Sequence, residues 1–304
     1  MNVLITGAFG FLGRNAAKEY KKRGFHVVGI GHGKWNYEDY AVWGIDQWVE
    51  TTIKLDVLLA LDISFDIIIH CGGSGSVAFS NTNPYEDFQR SVQSTLALLE
   101  FIRLKNKNCK FIYPSSPAVQ GNLGNIPIKE EMSGIPASPY GFHKKIAEEI
   151  CFSYHKNFNI QIGIIRYFSI YGEGLKKQLL WDACKKLSSE GDLEFFGTGK
   201  ETRDWIHISD ATSLMGMFSD QLKDYQVVNA GVGKVVEISD VIKKLSHCFK
   251  NSRKINFNGL VKEGDPIHFL ADTKKAFELG WIPKISLEMG LENYVEYFKK
   301  HMND

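Results

Sequence analysis

Close to its N-terminus the chain runs from a short apolar stretch, Val3-Leu4-Ile5, through Gly7-Ala8-Phe9-Gly10-Phe11-Leu12-Gly13 into a helical segment from Leu12 to Arg23. Lys21, Lys22 and Arg23 fill its last turn, where cations offset the negative end of the helix dipole, and Gly24 stands where a C-terminal glycine belongs. Three spaced glycines occur in ordinary tight turns. With a strand in front and a helix behind, they make an anion site: backbone N–H groups and the helix dipole point at a pyrophosphate, and the missing Cβ atoms let it approach. Gly7, Phe9, Gly10, Phe11 and Leu12 are therefore candidate contacts to a dinucleotide.

The first half keeps alternating strand and helix. Phe25–Ile30, Phe65–His70, Cys109–Tyr113 and Ile160–Ile165 read as strands, and Phe65–His70 is continuously apolar, as a strand covered on both faces should be. Phe88 to Arg103 has helical spacing at Val92, Leu96, Leu99 and Ile102. The pattern predicts an α/β fold, a doubly wound Rossmann-type parallel sheet that binds ligands at the carboxyl ends of its strands. After about Ser169 glycines cluster (Gly172, Gly174, Gly191, Gly197, Gly199) among short mixed elements. Residues 1–168 are thus expected to form mainly the dinucleotide-binding domain. Residues 169–304 are expected to form a smaller substrate-binding region, with some segments returning to the first domain. Leu287 to Phe298 reads as a closing amphipathic helix.

Composition narrows the classes. The chain has 304 residues, 44% of them hydrophobic and 23% charged, enough to bury a large core. A net charge of +1 gives no electrostatic footprint for nucleic acid or a membrane surface. No run approaches the ~20 apolar residues that span a bilayer. The first strand begins at once, with no signal peptide, and the five cysteines (Cys71, Cys109, Cys151, Cys184, Cys248) are scattered without a CxxC. They read as reduced thiols in a cytoplasmic protein, and no metal site is expected.

Ser138-Pro139-Tyr140-Gly141-Phe142-His143-Lys144 opens another helix. Ser138 suits the N-cap and Pro139 the first turn, so Tyr140 and Lys144 share one face, apart from a core-facing stripe of Ile146, Ala147, Ile150, Cys151 and Tyr154. His143 points off the Tyr140/Lys144 face and reads as solvated. A free tyrosine ionises near pH 10, but a neighbouring ammonium and a cationic ring both favour the phenolate. Taken alone, the pair also describes a surface tyrosine beside a solvated lysine. Tyr113-Pro114-Ser115-Ser116-Pro117 changes that, because serine hydroxyls at the end of a central strand could hydrogen-bond a substrate oxygen. Its plainer reading is a Ser/Pro turn.

Together these segments resemble the extended short-chain dehydrogenase/reductase family, in its branch of nucleotide-sugar epimerases, dehydratases and reductases. Thr6-Gly7-Ala8-Phe9-Gly10-Phe11-Leu12-Gly13 fits T-G-x-x-G-F-x-G, and Ile69-His70-Cys71-Gly72-Gly73 fits I-H-x-A-A with glycines for alanines. Ser116 to Gly121 fits S-x-x-V-Y-G with Gln120 for the tyrosine, and Tyr140 to Lys144 is Y-x-x-x-K. Arg166 to Gly172 fits R-x-F-N-V-Y-G, Gly199 to Asp210 fits G-x-x-x-R-D-[FWY]-x-x-V-x-D, and Ala271-Asp272 with Leu279 to Pro283 closes the series. Each motif is modest, but their order and spacing are specific and cover nearly the whole chain.

The resemblance implies roles. Gly7, Gly10 and Gly13 bind the pyrophosphate. Tyr140 is the acid/base, Lys144 holds the nicotinamide ribose and tunes the tyrosine, and Ser116 polarises the reacting oxygen. Arg203 and Phe196 contact the substrate nucleotide, with Ser169 and Lys262 standing where relatives carry an asparagine and an arginine. His70 and His207 read as structural. It also implies a homodimer, paired through the Phe88–Arg103 helix and the helix carrying Tyr140.

Departures refine the expected reaction. Pro117-Ala118 replaces the Asp-Glu of sugar 4,6-dehydratases, which argues against elimination. At the end of the second strand Gly31 replaces the acid that accepts from an NAD ribose, and His32 and Lys34 could meet a 2′-phosphate. The sequence therefore leans to NADP over NAD, and to a nucleotide-linked 4-keto-sugar reductase over a 4-epimerase that keeps bound NAD. A reductase of a non-sugar carbonyl compound and a non-catalytic dinucleotide sensor are the remaining readings.

Overall fold

A computed structural model describes residues 1–260 and 267–302. Seven strands form its main sheet: β1 (Asn2–Thr6), β2 (His26–Gly31), β3 (Gln47–Glu50), β4 (Ile67–His70), β5 (Lys110–Ser115), β6 (Ile162–Tyr167) and β7 (Tyr225–Ala230). Their order is β7-β6-β5-β4-β1-β2-β3 and every pair is parallel. The chain leaves β1 toward β2 and β3 on one side and returns to place β4 on the other. The ligand crevice of such a sheet opens beyond β1 and β4, where the strand order reverses. Gly7 follows β1 and Cys71 follows β4, so the glycine loop lies at that crevice.

Both faces of the sheet are covered, which explains its unbroken apolar strands. Val3 and Ile5 pack into one core, with Ala16, Ala17, Leu214 and Phe218 from helices α1 (Phe11–Lys22) and Ile208–Gln221. Leu4 points the other way, into a core with Leu98, Leu99 and Ile102 from α2 (Ser94–Lys105) and Ala147 and Cys151 from α3 (Pro139–Phe158). The alternation of Val3, Leu4 and Ile5 between two cores is the period-two geometry of a strand. Gly24, at φ +83°, ends α1.

The helix expected at Phe88–Arg103 is longer and irregular. It starts at Pro84, and a π turn at Gln89–Gln93 joins Pro84–Phe88 to α2. Apolar spacing carries no signal for such a bulge, whose extra residue shifts the face presented on either side.

Beyond residue 168 the chain builds a third core of Tyr171, Trp181, Phe195, Val241, Tyr294 and Phe298, while β7 returns to the main sheet. A smaller sheet joins Val235–Glu237, Thr202–His207, His268–Ala271 and Pro127–Ile128, and Ser169–Tyr171 pairs with Thr202–His207. The closing helix runs Leu287–His301. Among the described residues no helix is long and apolar enough to cross a membrane, and no His/Cys/Asp/Glu group could hold a metal ion.

Candidate active site

The dinucleotide cradle follows from three glycines. Gly7 has φ +65°, and a Cβ there would lie 2.6 Å from the Cys71 carbonyl oxygen. A Cβ on Gly13 would strike the Gly7 carbonyl, so α1 packs against the loop only because that atom is missing. Gly10 donates its N–H to Gly7 O at 2.8 Å and is the N-cap of α1, with no side chain capping the first turn. The free N–H groups and the positive helix end therefore face the crevice. This is a fit for a pyrophosphate made of backbone alone.

The ribose end also holds an aromatic cluster. His32 and Lys34 are both exposed, and the Trp48 indole lies beside Gly31, 3.0 Å from where a Cβ would sit. Trp48 Nε1 donates to Gly33 O at 3.2 Å, and the rings of Phe9, Trp35 and Trp48 form a continuous row with centroids 4.6 and 5.1 Å apart. Glycine at 31 thus makes room for an indole. Arg14, which the sequence reading missed, joins this corner: it donates to Phe9 O, and its guanidinium lies 5.7 Å from the Phe9 and Trp35 rings and 5.0 Å from Trp43. The one sequence signal for it was its place directly after Gly13.

α3 carries Tyr140 and Lys144, the pair expected to carry the chemistry. Ser138 caps it by accepting the Gly141 N–H, and the Tyr140 N–H donates to buried Ser80 Oγ at 3.0 Å. Lys144 is buried, donates to Pro114 O at 2.9 Å and lies 4.4 Å over the Tyr113 ring. Ser116, at the end of β5, accepts the Ala118 N–H at 3.2 Å and hydrogen-bonds the Tyr140 phenol. Tyr140, Lys144 and Ser116 thus converge.

Burial decides the proton affinities. It pushes the Tyr140 phenol up to about 12, against the Ser116 hydrogen bond and together with the charge of Asp87. It brings the Lys144 ammonium down to about 8, with Cys71, Glu148 and Asp87 pulling the other way. A buried amine that titrates near neutrality and a phenol beside a serine are a set suited to moving one proton.

Behind this set stands a network that the helix spacing did not reveal. Glu148, one turn after Lys144, accepts from Ser115 Oγ at 2.5 Å and takes Arg166 bidentately at 3.1 and 2.7 Å. Arg166 also donates to Glu130 O at 2.7 Å. The network ties α3 to β5 and β6.

Other expectations are corrected. Ile146 is not in the core stripe but 40% exposed, next to exposed Phe142. His143 is not solvated: its side chain is 13% exposed and pairs with buried Asp87. It lies three residues from Tyr140, between α3 and the segment around Phe88, so the helical face drawn for Tyr140 and Lys144 is wider than two residues. His70 bridges Thr6 Oγ1 and Ser94 Oγ, and His207 bridges Ser209 and Glu173.

Ser169 and Arg203, expected at the substrate, lie on neighbouring paired strands. Arg203 Nη1 donates to Thr202 O at 2.9 Å, and Phe196 is exposed at the end of Leu193–Phe195. Lys262 lies outside the described residues.

A doubly wound sheet with a glycine cradle at its switch point, and a Ser-Tyr-Lys set across from it, defines an extended short-chain dehydrogenase/reductase. Residues 3–231 match the NAD dependent epimerase/dehydratase family, and the chain belongs to it. It is 28% identical to a putative UDP-glucose 4-epimerase of Methanocaldococcus jannaschii, over 98% of this chain and 99% of that one. The structure of a UDP-glucuronic acid 4-epimerase from Bacillus cereus, in complex with UDP-glucuronic acid and NAD, superposes with a TM-score of 0.87 at 30% identity, covering 99% of both chains. A UDP-glucose 4-epimerase from Thermotoga maritima, solved with UDP-glucose, gives 0.90 at 25% identity, covering 100% of both. These relatives favour the epimerase reading over the reductase that Gly31, His32 and Lys34 suggested.

Proposed function

We propose that this protein is a UDP-sugar 4-epimerase that works with retained NAD. The observation that carries the reading is the convergence of Ser116, Tyr140 and Lys144 opposite the glycine cradle, in a chain several of whose full-length relatives are named as 4-epimerases. The lean toward NADP and net reduction rested on Gly31 in place of an acidic residue, with His32 and Lys34 beside it; relatives solved with NAD or named as 4-epimerases support NAD and epimerisation instead. Gly7, Phe9, Gly10, Phe11 and Leu12 would hold the dinucleotide, with Arg14 and the Phe9–Trp35–Trp48 row at its adenosine end.

The chemistry NAD supplies there when bound is reversible hydride acceptance at the sugar C4. Tyr140, as phenolate, takes the proton of the C4 hydroxyl and later returns it. Ser116 shares a hydrogen bond with the same oxygen and holds it within reach of the phenol. The Lys144 ammonium, anchored on Pro114 O, anchors the cofactor ribose and supplies the positive charge that favours the phenolate. Ser169, Phe196 and Arg203, together with Lys262 outside the described residues, are the side chains assigned to the nucleotide sugar, within residues 169–304. The partner is a second copy of the chain, docked through α2 and α3.

The test is incubation of the purified protein with UDP-glucose or UDP-glucuronic acid, without added cofactor. Appearance of the 4-epimer by NMR, with no net change in reduced-cofactor absorbance, is expected. Stoichiometric NADPH oxidation with a nucleotide-linked 4-keto-6-deoxy sugar, and no epimerisation, would establish the reductase instead.

A further inference from the structure

Glycines give the cradle room for a pyrophosphate, but the same freedom lets the loop take other shapes, so something outside it has to fix its form. Gly10, the N-cap of α1, is extended at φ −74° and ψ 168°, and no side chain caps the first turn. One peptide unit of the loop is nevertheless pinned at both ends. Its N–H, from Gly10, donates to Gly7 O at 2.8 Å. Its carbonyl, from Phe9, accepts from Arg14 Nη2 at 2.5 Å. Arg14 Nε also reaches the next carbonyl, Gly10 O, at 3.3 Å.

Both carbonyls are thereby held toward the guanidinium. Across a trans peptide C=O and N–H point opposite ways, so the Phe11 N–H, joined to the Gly10 carbonyl, is aimed away from Arg14. It is one of the first-turn donors that no helical carbonyl can satisfy. A Phe9 carbonyl turned into the crevice would instead set an oxygen against the anion. The guanidinium is in turn boxed by rings, 5.7 Å from the centroids of Phe9 and Trp35 and 5.0 Å from Trp43. A planar, weakly hydrated cation suits such a box better than an ammonium does. Among the described residues Arg14 pairs with no carboxylate, so its charge stays uncompensated beside the cradle.

We propose that Arg14 is the positioning residue of the dinucleotide cradle: boxed by Phe9, Trp35 and Trp43, it clamps the Phe9 and Gly10 carbonyls, presents the Phe11 N–H to the pyrophosphate and sets a positive charge behind it. The inference rests on the reading of the glycine loop as the dinucleotide site. Side chains in the first turn of a helix lean back toward its N-terminus, which brings Arg14 over the loop that precedes α1. A loop already set in its bound shape loses less affinity to ordering.

The experiment is isothermal titration calorimetry of the full-length protein, freed of cofactor, with ADP. This probe carries the adenosine and the pyrophosphate and makes no use of Tyr140. Arg14→Met should weaken ADP binding by roughly tenfold or more, the worth of a hydrogen bond to a charged group. Arg14→Lys keeps the charge but has no planar fork to span two carbonyls, and should still lose roughly three- to tenfold. Arg14→Gln is measured alongside, and thermal unfolding identifies the variants that fold. Should Arg14→Met not fold, the other two carry the test. An arginine with a structural role only would lower the unfolding temperature and leave the ADP affinity of the folded protein unchanged. Wild-type ADP affinity in any folded variant of the three overturns the proposal. Failure of the epimerase reading looks different, because the wild type would then bind ADP and NAD yet leave UDP-glucose unchanged.

Discussion

Tyr140 and Lys144 show at the scale of single residues how one environment gives two groups different tasks. Burial raises the phenol and lowers the ammonium, because in both cases it disfavours the charged form. Tyr140→Phe removes one oxygen that no neighbouring donor replaces. Turnover of UDP-sugar should fall by roughly 10²–10⁴-fold, while NAD binding, followed by fluorescence, stays within a few-fold of wild type. A variant that kept a third of the rate would show that the proton moves through another group. Lys144 gives a prediction with a pH sign. Its ammonium titrates at about 8 in the folded chain against its ordinary 10.5, so between those values the folded state binds fewer protons. Burying the charge therefore costs stability below about pH 8, and the cost fades as pH rises from 8 toward 10.5. Lys144→Met should inactivate the enzyme yet stabilise the cofactor-stripped protein at pH 7 by roughly 1–2 kcal/mol, after the loss of its hydrogen bond to Pro114 O. Thermal unfolding across that range checks it: the gain should shrink as pH approaches 10.

At the scale of elements, α3 is held at successive turns. Its start is fixed by Ser138 and by Ser80, its second turn by Lys144 on Pro114 O, and its third by Glu148 on Ser115 and Arg166. Glu148 is the anchor that links the helix to the strand end carrying Ser116. Glu148→Ala leaves the buried Arg166 guanidinium without its carboxylate and should cost about 3–5 kcal/mol of stability, the usual penalty for breaking a buried pair from one side. Because Ser115 also loses its partner, the drop in kcat should exceed any rise in KM. Equal stability of the variant in urea unfolding would mean that water replaces the carboxylate.

At the scale of the whole molecule, an apolar strip runs over the outer faces of α2 and α3. Leu96 and Leu104 on α2, and Phe142 and Ile146 one turn apart on α3, are all at least 40% exposed. Apolar side chains grouped along two adjacent helices are the mark of a covered interface. If a second copy covers them, Phe142→Glu with Ile146→Glu should convert a dimer into a monomer in sedimentation or light scattering, with little effect on the folded monomer's secondary structure. A wild type that is monomeric at micromolar concentration would sink the assignment of this face.

The sequence by itself determined the sheet, the cradle and the polarity of the site. Val3-Leu4-Ile5 before Gly7, and unbroken apolar strands such as Ile67–His70, leave few alternatives, because a strand covered on both faces and a glycine turn into a helix are local demands on the chain. The spacing of Tyr140 and Lys144 fixed their common face for the same reason. What only the tertiary structure decided depends on residues far apart in the chain. The π turn at Gln89–Gln93 leaves no trace in apolar spacing. Asp87 makes His143 a buried partner rather than a solvated side chain across a separation of 56 residues. Ile146 faces outward because the neighbouring elements leave that side of α3 bare. The indole of Trp48, brought from β3, lies against Gly31, a contact that the sequence around position 31 does not show. A carboxylate, an imidazole or an indole has no fixed role until packing sets its dielectric surroundings and its partner, and that is information no local pattern carries.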